Sequence, residues 1–397
     1  MCQNLWKIFG PQAESVLDAI RNGVTKEQIF QDTGHVIAVR DVSFEVRENE
    51  VFVIMGLSGS GKSTLLRCIN RLIEPTRGTV FIDGTDLAQL TEDELKELRR
   101  RKLSMVFQNF GLLPHRSVLE NVAFGLEVRG EGKKEREEKA LQALELVGLQ
   151  GWEKSRIQEL SGGMQQRVGL ARALAVGSEI LLMDEPFSAL DPLIRRQMQD
   201  EFLNLRSVVK KTVVFITHDL IEALKLGDHI AIMKDGEIVQ IGTPEEIVAC
   251  PANEYVKEFV KDVPRGKVIS ARAIMERPNV VAQNDQKLES VVREMQAREA
   301  TIAFVTDDSG RLKGAVSLEQ ALSASQNGLI RAGELARQDF PTTSPDTPLE
   351  RCLSLVAEED LPVAVVDAER RLLGVITRAN LLRALQSDDE EPNSASY

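Results

Sequence analysis

The sequence predicts an α/β domain built on a mainly parallel sheet, followed by a smaller α+β module that is present twice. In the first part of the chain, short apolar runs of strand length alternate with helical patterns, which is typical of a parallel sheet flanked by helices. Further along, residues 303–307 match residues 363–367, and residues 312–317 match residues 372–377, at a constant spacing of 60 positions. A chain of 397 residues is long enough for two or three domains.

Composition excludes several classes of protein. The chain has 49 basic and 61 acidic residues and a net charge of −12, which argues against a nucleic-acid partner, because coating DNA or RNA needs a basic surface. No run approaches the ~20 apolar residues of a membrane-spanning helix, and the first residues lack the pattern of a signal peptide. The four cysteines and four histidines have no metal-binding spacing, so we expect reduced cytosolic thiols and no structural metal site.

The elements of the α/β domain follow one another at regular intervals. Strand patterns occupy residues 36–39, 42–46, 51–55, 105–107, 180–183 and 213–216. A helix is predicted from about Lys62 to Leu72, directly after the third strand and a glycine-rich turn. Residues 130–148 are highly charged and then apolar at helical spacing, which predicts an amphipathic helix in an inserted helical region.

The glycine-rich turn between that strand and helix is a P-loop. Glycine lets successive backbone N–H groups surround phosphate oxygens, and the following helix N-terminus favours an anion. Lys62 supplies a positive charge for the β- and γ-phosphates, and Ser63 supplies a hydroxyl ligand for Mg²⁺. The residues predicted to bind the nucleotide here are Gly56, Leu57, Ser58, Gly59, Ser60, Gly61, Lys62, Ser63 and Thr64.

Two carboxylates end the apolar strand at residues 180–183. Because a buried strand delivers Asp184 to the edge of the sheet, this carboxylate can join the Mg²⁺ shell directly or through water. Glu185, one residue further on, can act as the general base that polarises an attacking water.

Residues 160–167, with the sequence Leu-Ser-Gly-Gly-Met-Gln-Gln-Arg, resemble the signature motif of ATP-binding cassette (ABC) proteins. In that family the serine and the glycine N–H groups bind the γ-phosphate of ATP held by a partner subunit. The resemblance therefore implies a homodimer in which each ATP lies between the P-loop of one chain and Ser161 of the other. The positions that this motif contributes to nucleotide binding are Ser161, Gly162, Gly163 and Gln165.

The resemblance to ABC proteins assigns the other positions of the site in chain order. Gln108 matches the glutamine loop, which touches Mg²⁺, and Asp191 ends the D-loop Ser188-Ala189-Leu190-Asp191. His218 matches the switch histidine, which holds the γ-phosphate, the water and Glu185 in place. Phe9 matches the aromatic residue that stacks on adenine, and Trp6 is the alternative. The family usually places a strand before this aromatic; with five residues ahead of Trp6, we expect a short strand or an N-terminus that begins upstream.

Three further features resemble the importer ATPases of glycine betaine/proline betaine (osmoprotectant) uptake systems. They are an insertion at residues 11–34 with a capping box at Thr25, the segment 71–78, and the C-terminal repeats. The resemblance implies integral-membrane permease subunits that dock at Gln108–Asn121, a periplasmic or lipid-anchored substrate-binding protein, and a peripheral position on the cytoplasmic face of the inner membrane. An importer for another small solute, such as choline or an amino acid, is the alternative.

The repeats resemble a tandem pair of CBS domains, which regulate transport in this family. The expected boundaries are 1–263 for the nucleotide-binding domain, with a helical subdomain at about 109–172, then 267–327 and 330–387 for the two CBS repeats. The acidic segment 388–397 is expected to be disordered. In the usual adenosine-binding pattern an Asp follows Ser317 or Thr377 three positions later; Gln320 and Asn380 stand there instead, which disfavours conventional AMP or ATP binding.

Two other classes of function predict features that differ from those of this chain. A soluble ABC ATPase of DNA repair, chromosome maintenance or translation would carry a long coiled coil between Gln108 and Ser161, zinc cysteines, or two fused cassettes. A protein that is chiefly a CBS sensor would not need a full set of catalytic positions. The sequence therefore favours a transport ATPase that uses ATP and Mg²⁺.

Overall fold

The computed structural model describes residues 1–108, 110–188, 190–325, 331–359 and 361–385. The chain divides into two compact units. Unit 1 contains residues 1–247 and 251–260, and unit 2 contains residues 248–250 and the chain from residue 261 onward. Among the described residues, no helix has the length and apolar character needed to cross a bilayer. The predicted disordered tail at 388–397 lies outside the described residues.

A six-stranded sheet forms the centre of unit 1. Its strands, in the order in which they lie side by side, are β10 (Glu237–Gly242), β9 (His229–Lys234), β3 (Val51–Met55), β8 (Thr212–Thr217), β7 (Ile180–Asp184) and β6 (Leu103–Val106). Every pairing is parallel except that of β10 with β9, which confirms the mainly parallel sheet. All five residues of β3 are buried, as expected for a strand covered on both faces.

The register of this sheet brings three strand ends together. Met55, the last residue of β3, pairs with Thr217 of β8, and Asp184 of β7 pairs with Ile216. Because parallel strands end at one edge, the P-loop, the two carboxylates and His218 all emerge on the same side of the sheet.

A second, antiparallel sheet of unit 1 consists of β2 (Val36–Phe44), β1 (Cys2–Phe9), β4 (Arg77–Ile82) and β5 (Thr85–Asp86). The prediction of two strands at 36–39 and 42–46 was wrong: β2 is one strand that pairs with β1 on both sides of a bulge. Asp41, with a φ of 48°, lies at this irregularity. The aromatic Phe9 ends β1, so an eight-residue strand does lead up to it.

Helices cover both sheets of unit 1. They are α1 (Leu17–Arg21), α2 (Lys26–Thr33), α3 (Lys62–Ile69), α4 (Glu92–Lys102), α5 (Val118–Val128), α6 (Lys133–Leu146), α7 (Gly162–Ala175), α8 (Pro192–Val208), α9 (Leu220–Leu226), α10 (Pro244–Ala249) and α11 (Glu254–Val260), with α10 continuing into unit 2. α6 confirms the amphipathic helix predicted at 130–148, with Ala140 and Leu144 buried. α3 ends at Ile69 rather than at Leu72, because Arg71 takes a φ of 47° and reverses the chain.

The insertion at 11–34 has a small core of its own. Val16, Ile20 and Ile29 are buried together with Trp6. The predicted capping box is present: Thr25 accepts from the backbone N–H of Gln28, and the Gln28 side chain accepts from that of Thr25. Since Trp6 is only 9 % exposed and packs in this core, it is not available to stack on a base.

Unit 2 consists of two similar half-units. The first has the sheet β11 (Val281–Gln283), β12 (Ile302–Thr306) and β13 (Leu312–Ser317), with α14 (Leu288–Ala297) and α15 (Leu318–Ser325). The second has β14 (Thr342–Thr343), β15 (Val363–Val366) and β16 (Leu372–Ile376), with α17 (Leu349–Glu359) and α18 (Arg378–Leu385). The short helices α12 (Arg265–Val268), α13 (Ala271–Ile274) and α16 (Ala332–Leu335) precede them. Phe304 and Phe340 join the half-units in an edge-to-face contact with 5.4 Å between ring centroids.

Candidate functional site

The P-loop is held in a tight curve that only glycine permits. Gly61 has a φ of 100°, and a Cβ at this position would lie 2.0 Å from the carbonyl oxygen of Ala38. At Gly56, a Cβ would lie 2.2 Å from the carbonyl oxygen of Met233. The backbone of residues 56–61 is therefore pressed against β2 and β9, while Leu57, Ser58 and Gly59 face solvent and Thr64 is half-buried in the first turn of α3.

Lys62 lies folded over this loop. Its Nζ donates to the carbonyl oxygens of Gly56 at 2.8 Å and Leu57 at 2.9 Å, and the side chain is buried. Burial lowers the pKa of the Lys62 ammonium, and the nearby carboxylates of Glu185 and Asp184 partly oppose that shift. The cation is thus held inside the curve of the loop.

Two polar groups beside the lysine fit a nucleotide and its metal. The buried Oγ of Ser60 has no hydrogen-bond partner among the described residues, so it is an orphaned group directed into the loop. The Oγ of Ser63 donates to Oδ1 of Asp184 at 2.8 Å, which brings together a hydroxyl and a carboxylate from β7. Oxygen donors of these two kinds are the ligands that Mg²⁺ takes in phosphate-binding sites.

Glu185 and His218 form a pair at the same edge of the sheet. His218 Nδ1 lies 3.1 Å from Oε2 of Glu185, and since a carboxylate only accepts, Nδ1 carries the proton. Glu185 has a φ of 46°, a conformation that costs a non-glycine residue free energy. Its backbone is held there by bonds from Glu185 N to the Ile216 carbonyl at 3.1 Å and from Ser188 N to the Glu185 carbonyl at 3.2 Å.

Gln108 reaches the same edge from the next strand. It follows β6, whose last residue Val106 pairs with Met183, the residue before Asp184. The Gln108 side chain is exposed.

The signature segment lies at the start of α7 and faces solvent. Ser161 is the N-cap of α7 and accepts from the Met164 N–H at 3.4 Å; Gly162 is also exposed, whereas Gly163 is buried against α8. A Cβ at Gly163 would lie 2.6 Å from the side chain of Ile194, which explains the glycine. None of the hydrogen bonds of residues 161–165 in the described chain reaches its own P-loop.

Two residues predicted to contact nucleotide are engaged locally. The amide nitrogen of Gln165 donates to the carbonyls of Ile157 and Leu160, both at 3.1 Å, and so holds the turn that precedes Ser161. Asp191 is the N-cap of α8 and accepts from the N–H groups of Leu193 and Ile194 at 3.1 Å. Their observed contacts shape the loops around the site.

Phe9, the residue predicted to stack on adenine, is exposed at the end of β1. Its ring is 41 % exposed, and it pairs with Val36 of β2, two residues before the Ala38 carbonyl that lies against Gly61. Lys7 Nζ stands 5.0 Å from the ring centroid, and an open pocket between Phe9 and Gln12 adjoins it. This exposure and proximity favour Phe9 over the buried Trp6.

Sequence reasoning missed His35, which packs on the turn that follows Phe9. His35 is buried, and its Nε2 donates to the Pro11 carbonyl at 2.7 Å, while its Nδ1 lies 2.9 Å from Thr33 Oγ1. A Cβ on Gly10 would lie 2.3 Å from the His35 ring, so the ring packs directly on the turn after Phe9. Pro11 and His35 are 24 positions apart in the sequence, so no sequence pattern reveals this contact.

Replacing Phe9 with alanine should weaken ATP binding about tenfold, because stacking of a base on an aromatic ring is worth ~1–3 kcal/mol. The turnover rate at saturating ATP should change little, since the phosphate groups are untouched. Titration with a fluorescent ATP analogue, together with steady-state kinetics, would measure both. Phe30→Ala, at a 57 % exposed ring in the insertion, is the matched control; equal affinity in the two variants would remove Phe9 from the base site.

In the second half-unit, Asn380 stands where the CBS resemblance would place a ribose-binding acid, and it is engaged within unit 2. Asn380 bonds the backbone N–H and hydroxyl of Thr377 through its Oδ1, and its amide donates to Glu276. In the first repeat, Ser317 Oγ accepts from the N–H of Gln320 at 3.3 Å. Among the described residues of both units, no cluster of histidine, cysteine or acidic side chains could hold a metal by itself.

Comparison with known proteins connects this geometry to a family. The family model described as ABC transporter matches residues 39–188, and the CBS domain model matches residues 271–327 and 332–387. The glycine betaine transport ATP-binding protein OpuAA of Bacillus subtilis is 48 % identical over 388 residues, covering 98 % of this chain and 92 % of the relative. The glycine betaine/proline betaine transport ATP-binding protein ProV of Escherichia coli is 48 % identical over 392 residues, covering 97 % of each.

A solved structure gives the same result for unit 1. A dimeric bacterial ABC transporter cassette superposes with a TM-score of 0.52 and 35 % identity, covering 61 % of this chain and 97 % of that one. The same cassette in a post-hydrolysis state with bound ADP and phosphate matches equally well, with a TM-score of 0.52. The chain is therefore an ATP-binding subunit of the ABC transporter family that carries a tandem pair of CBS domains.

Proposed function

We propose that this chain hydrolyses ATP to energise the uptake of a quaternary-amine osmolyte, such as glycine betaine or proline betaine, through separate permease subunits. The observation that carries the proposal is the near full-length similarity to ATP-binding proteins of betaine transport, which includes the CBS repeats. It is supported by a hydrolytic set of side chains gathered at one sheet edge.

Each group at that edge has a role in hydrolysis. The Lys62 ammonium exchanges its two carbonyl partners for β- and γ-phosphate oxygens, and the N–H groups of residues 56–64 surround the phosphates. Ser63, Asp184 and Gln108 would hold Mg²⁺, which neutralises charge on the phosphates when bound. Glu185 accepts the proton of the attacking water, and His218 holds that carboxylate through Nδ1.

The second half of each site comes from another copy of the chain. Ser161 and the N–H groups of Gly162 and Gly163 open a fourteen-residue helix whose N-terminus faces solvent, where an anion can bind. A γ-phosphate held by the partner's P-loop supplies that anion. The dimeric cassette that resembles unit 1 supports this arrangement.

We place the chain at the cytoplasmic face of the cell membrane, bound to permease subunits through the segment from Gln108 to Asn121. A periplasmic or lipid-anchored binding protein delivers the solute to the permease. We further propose that residues 1–263 form the catalytic cassette, and that residues 267–327 and 330–387 form the two regulatory CBS repeats.

Uptake of labelled solute by cells that lack this chain tests the proposal. Restoring the wild-type chain should restore glycine betaine uptake, whereas the Glu185→Gln chain should not. Unlabelled proline betaine, choline, an amino acid and trimethylamine N-oxide serve as competitors; the last is included because the trimethylamine N-oxide transport protein of Pelagibacter ubique is 50 % identical over 321 residues. Betaine uptake that does not depend on the chain would contradict the proposal.

A further inference from the structure

Arg195 of α8 bridges two loops of the catalytic site. Its Nε donates to the Phe187 carbonyl at 3.2 Å, and its Nη2 donates to the carbonyls of Ser188 at 3.4 Å and Leu190 at 3.2 Å. On the other side, its Nη1 lies 3.7 Å from Oδ2 of Asp219. One guanidinium thus joins three backbone carbonyls of one loop to a carboxylate of another.

The two ends of this bridge attach next to the Glu185–His218 pair. The Phe187–Leu190 loop follows Glu185, and Ser188 Oγ donates to the Glu185 carbonyl at 2.9 Å. Asp219 follows His218 directly and caps α9 by accepting from the Glu222 N–H at 3.2 Å. A shift of the Phe187–Leu190 loop would therefore move Glu185, and a shift of the loop at Asp219 would move His218.

The guanidinium group of arginine suits this position. A guanidinium presents five N–H donors in a fixed plane, so it can serve several carbonyls and an anion at once, whereas a lysine ammonium cannot reproduce that geometry. The side chain is half-buried, with 29 % of its surface exposed, which limits competition from water.

We propose that Arg195 is a positioning residue that fixes the Phe187–Leu190 loop relative to His218, so that docking of the second chain against this loop aligns Glu185 and His218. The inference rests on the proposed ATPase function and goes beyond it by assigning the transmission of dimer closure to one side chain. Arg195 acts through backbone carbonyls and Asp219.

The test compares Arg195→Gln with Arg196→Gln. The control removes the same charge from an exposed neighbour on the same helix. We expect Arg195→Gln to lower the ATP turnover rate about 10- to 100-fold, since small misplacements of catalytic groups cost that much, while the Kd for ATP changes less than about twofold. The Hill coefficient for ATP should fall toward one, and Arg195→Lys should recover only part of the rate. A merely structural role would instead change ATP binding and the unfolding midpoint together with turnover.

A second variant breaks the same contact from the other side, in case the Arg195 variant fails to fold. Asp219→Asn keeps an Oδ1 that can cap α9 and removes only the charge facing Arg195, so it should lower turnover in the same way. In the double variant the two losses should be less than multiplicative. The inference would be overturned if Arg195→Gln and Asp219→Asn each hydrolyse ATP as fast as Arg196→Gln does. It would also be overturned if the two losses multiply fully in the double variant. Absence of ATP hydrolysis by the wild-type chain would instead overturn the proposed function.

Discussion

Replacing Glu185 with glutamine is expected to reduce ATP hydrolysis by roughly 10²- to 10⁴-fold, the usual contribution of a general base. Glutamine has the same shape and can still accept from His218 Nδ1, but it cannot take a proton from water. The phosphate-binding groups Lys62 and Ser63 are unchanged, so ATP should still bind. With hydrolysis blocked, the ATP-bound dimer should accumulate.

Single-turnover kinetics and gel filtration with ATP and Mg²⁺ measure these two outcomes. Glu222→Gln is the control, because it makes the same substitution at a nearby acid on α9. Burial raises the pKa of the Glu222 carboxyl, because desolvation penalises its charged form. Near-normal turnover in the Glu185 variant would remove Glu185 from its assigned role.

Replacing Ser161 with arginine is expected to abolish hydrolysis while the same chain still binds ATP. Ser161 is exposed, and its described hydrogen bonds do not reach its own P-loop, so nucleotide binding to one chain should not depend on it. An arginine side chain at this N-cap would fill the place where the partner's γ-phosphate lies in the closed dimer. The effect should therefore appear in turnover and in ATP-driven dimerisation, and not in the Kd of the single chain.

The Ser161→Ala variant separates this effect from loss of the helix cap. Both variants lose the bond to the Met164 N–H, at a cost of about 1 kcal/mol of stability. Only arginine adds bulk, so it should block the dimer more severely than alanine does. If the arginine variant hydrolyses ATP at a near-normal rate, equal to that of the alanine variant, this would argue against a site shared between two chains.

The residues proposed to bind phosphate can be picked out from the sequence because their chemistry is local. The P-loop needs glycines at fixed spacing after a strand, and Asp184 and Glu185 end an apolar run. A short stretch of sequence is therefore enough to identify each of these motifs. The parallel sheet then brings these motifs together, since Met55, Asp184 and Thr217 end neighbouring strands.

The contacts that the sequence did not reveal join distant residues through backbone groups. Asp41 adopts a left-handed backbone conformation within β2, and the strand continues on both sides of it. Arg71 adopts the same conformation after α3, where it reverses the chain and ends the helix early. His35 and Arg195 act on carbonyl oxygens, which every residue possesses, so no pattern of side chains marks their partners. Such contacts depend on the tertiary path of the chain.

The two carbonyl bonds of Lys62 affect how a familiar experiment is interpreted. Substitution of a P-loop lysine by alanine is commonly taken to delete one positive charge. In the nucleotide-free chain the same change would also leave the carbonyls of Gly56 and Leu57 without their internal donor, where Gly56 is packed against the Met233 carbonyl. An inactive alanine variant would therefore report a loosened loop as well as a missing charge, and only a substitution that retains a donor at this point can separate the two.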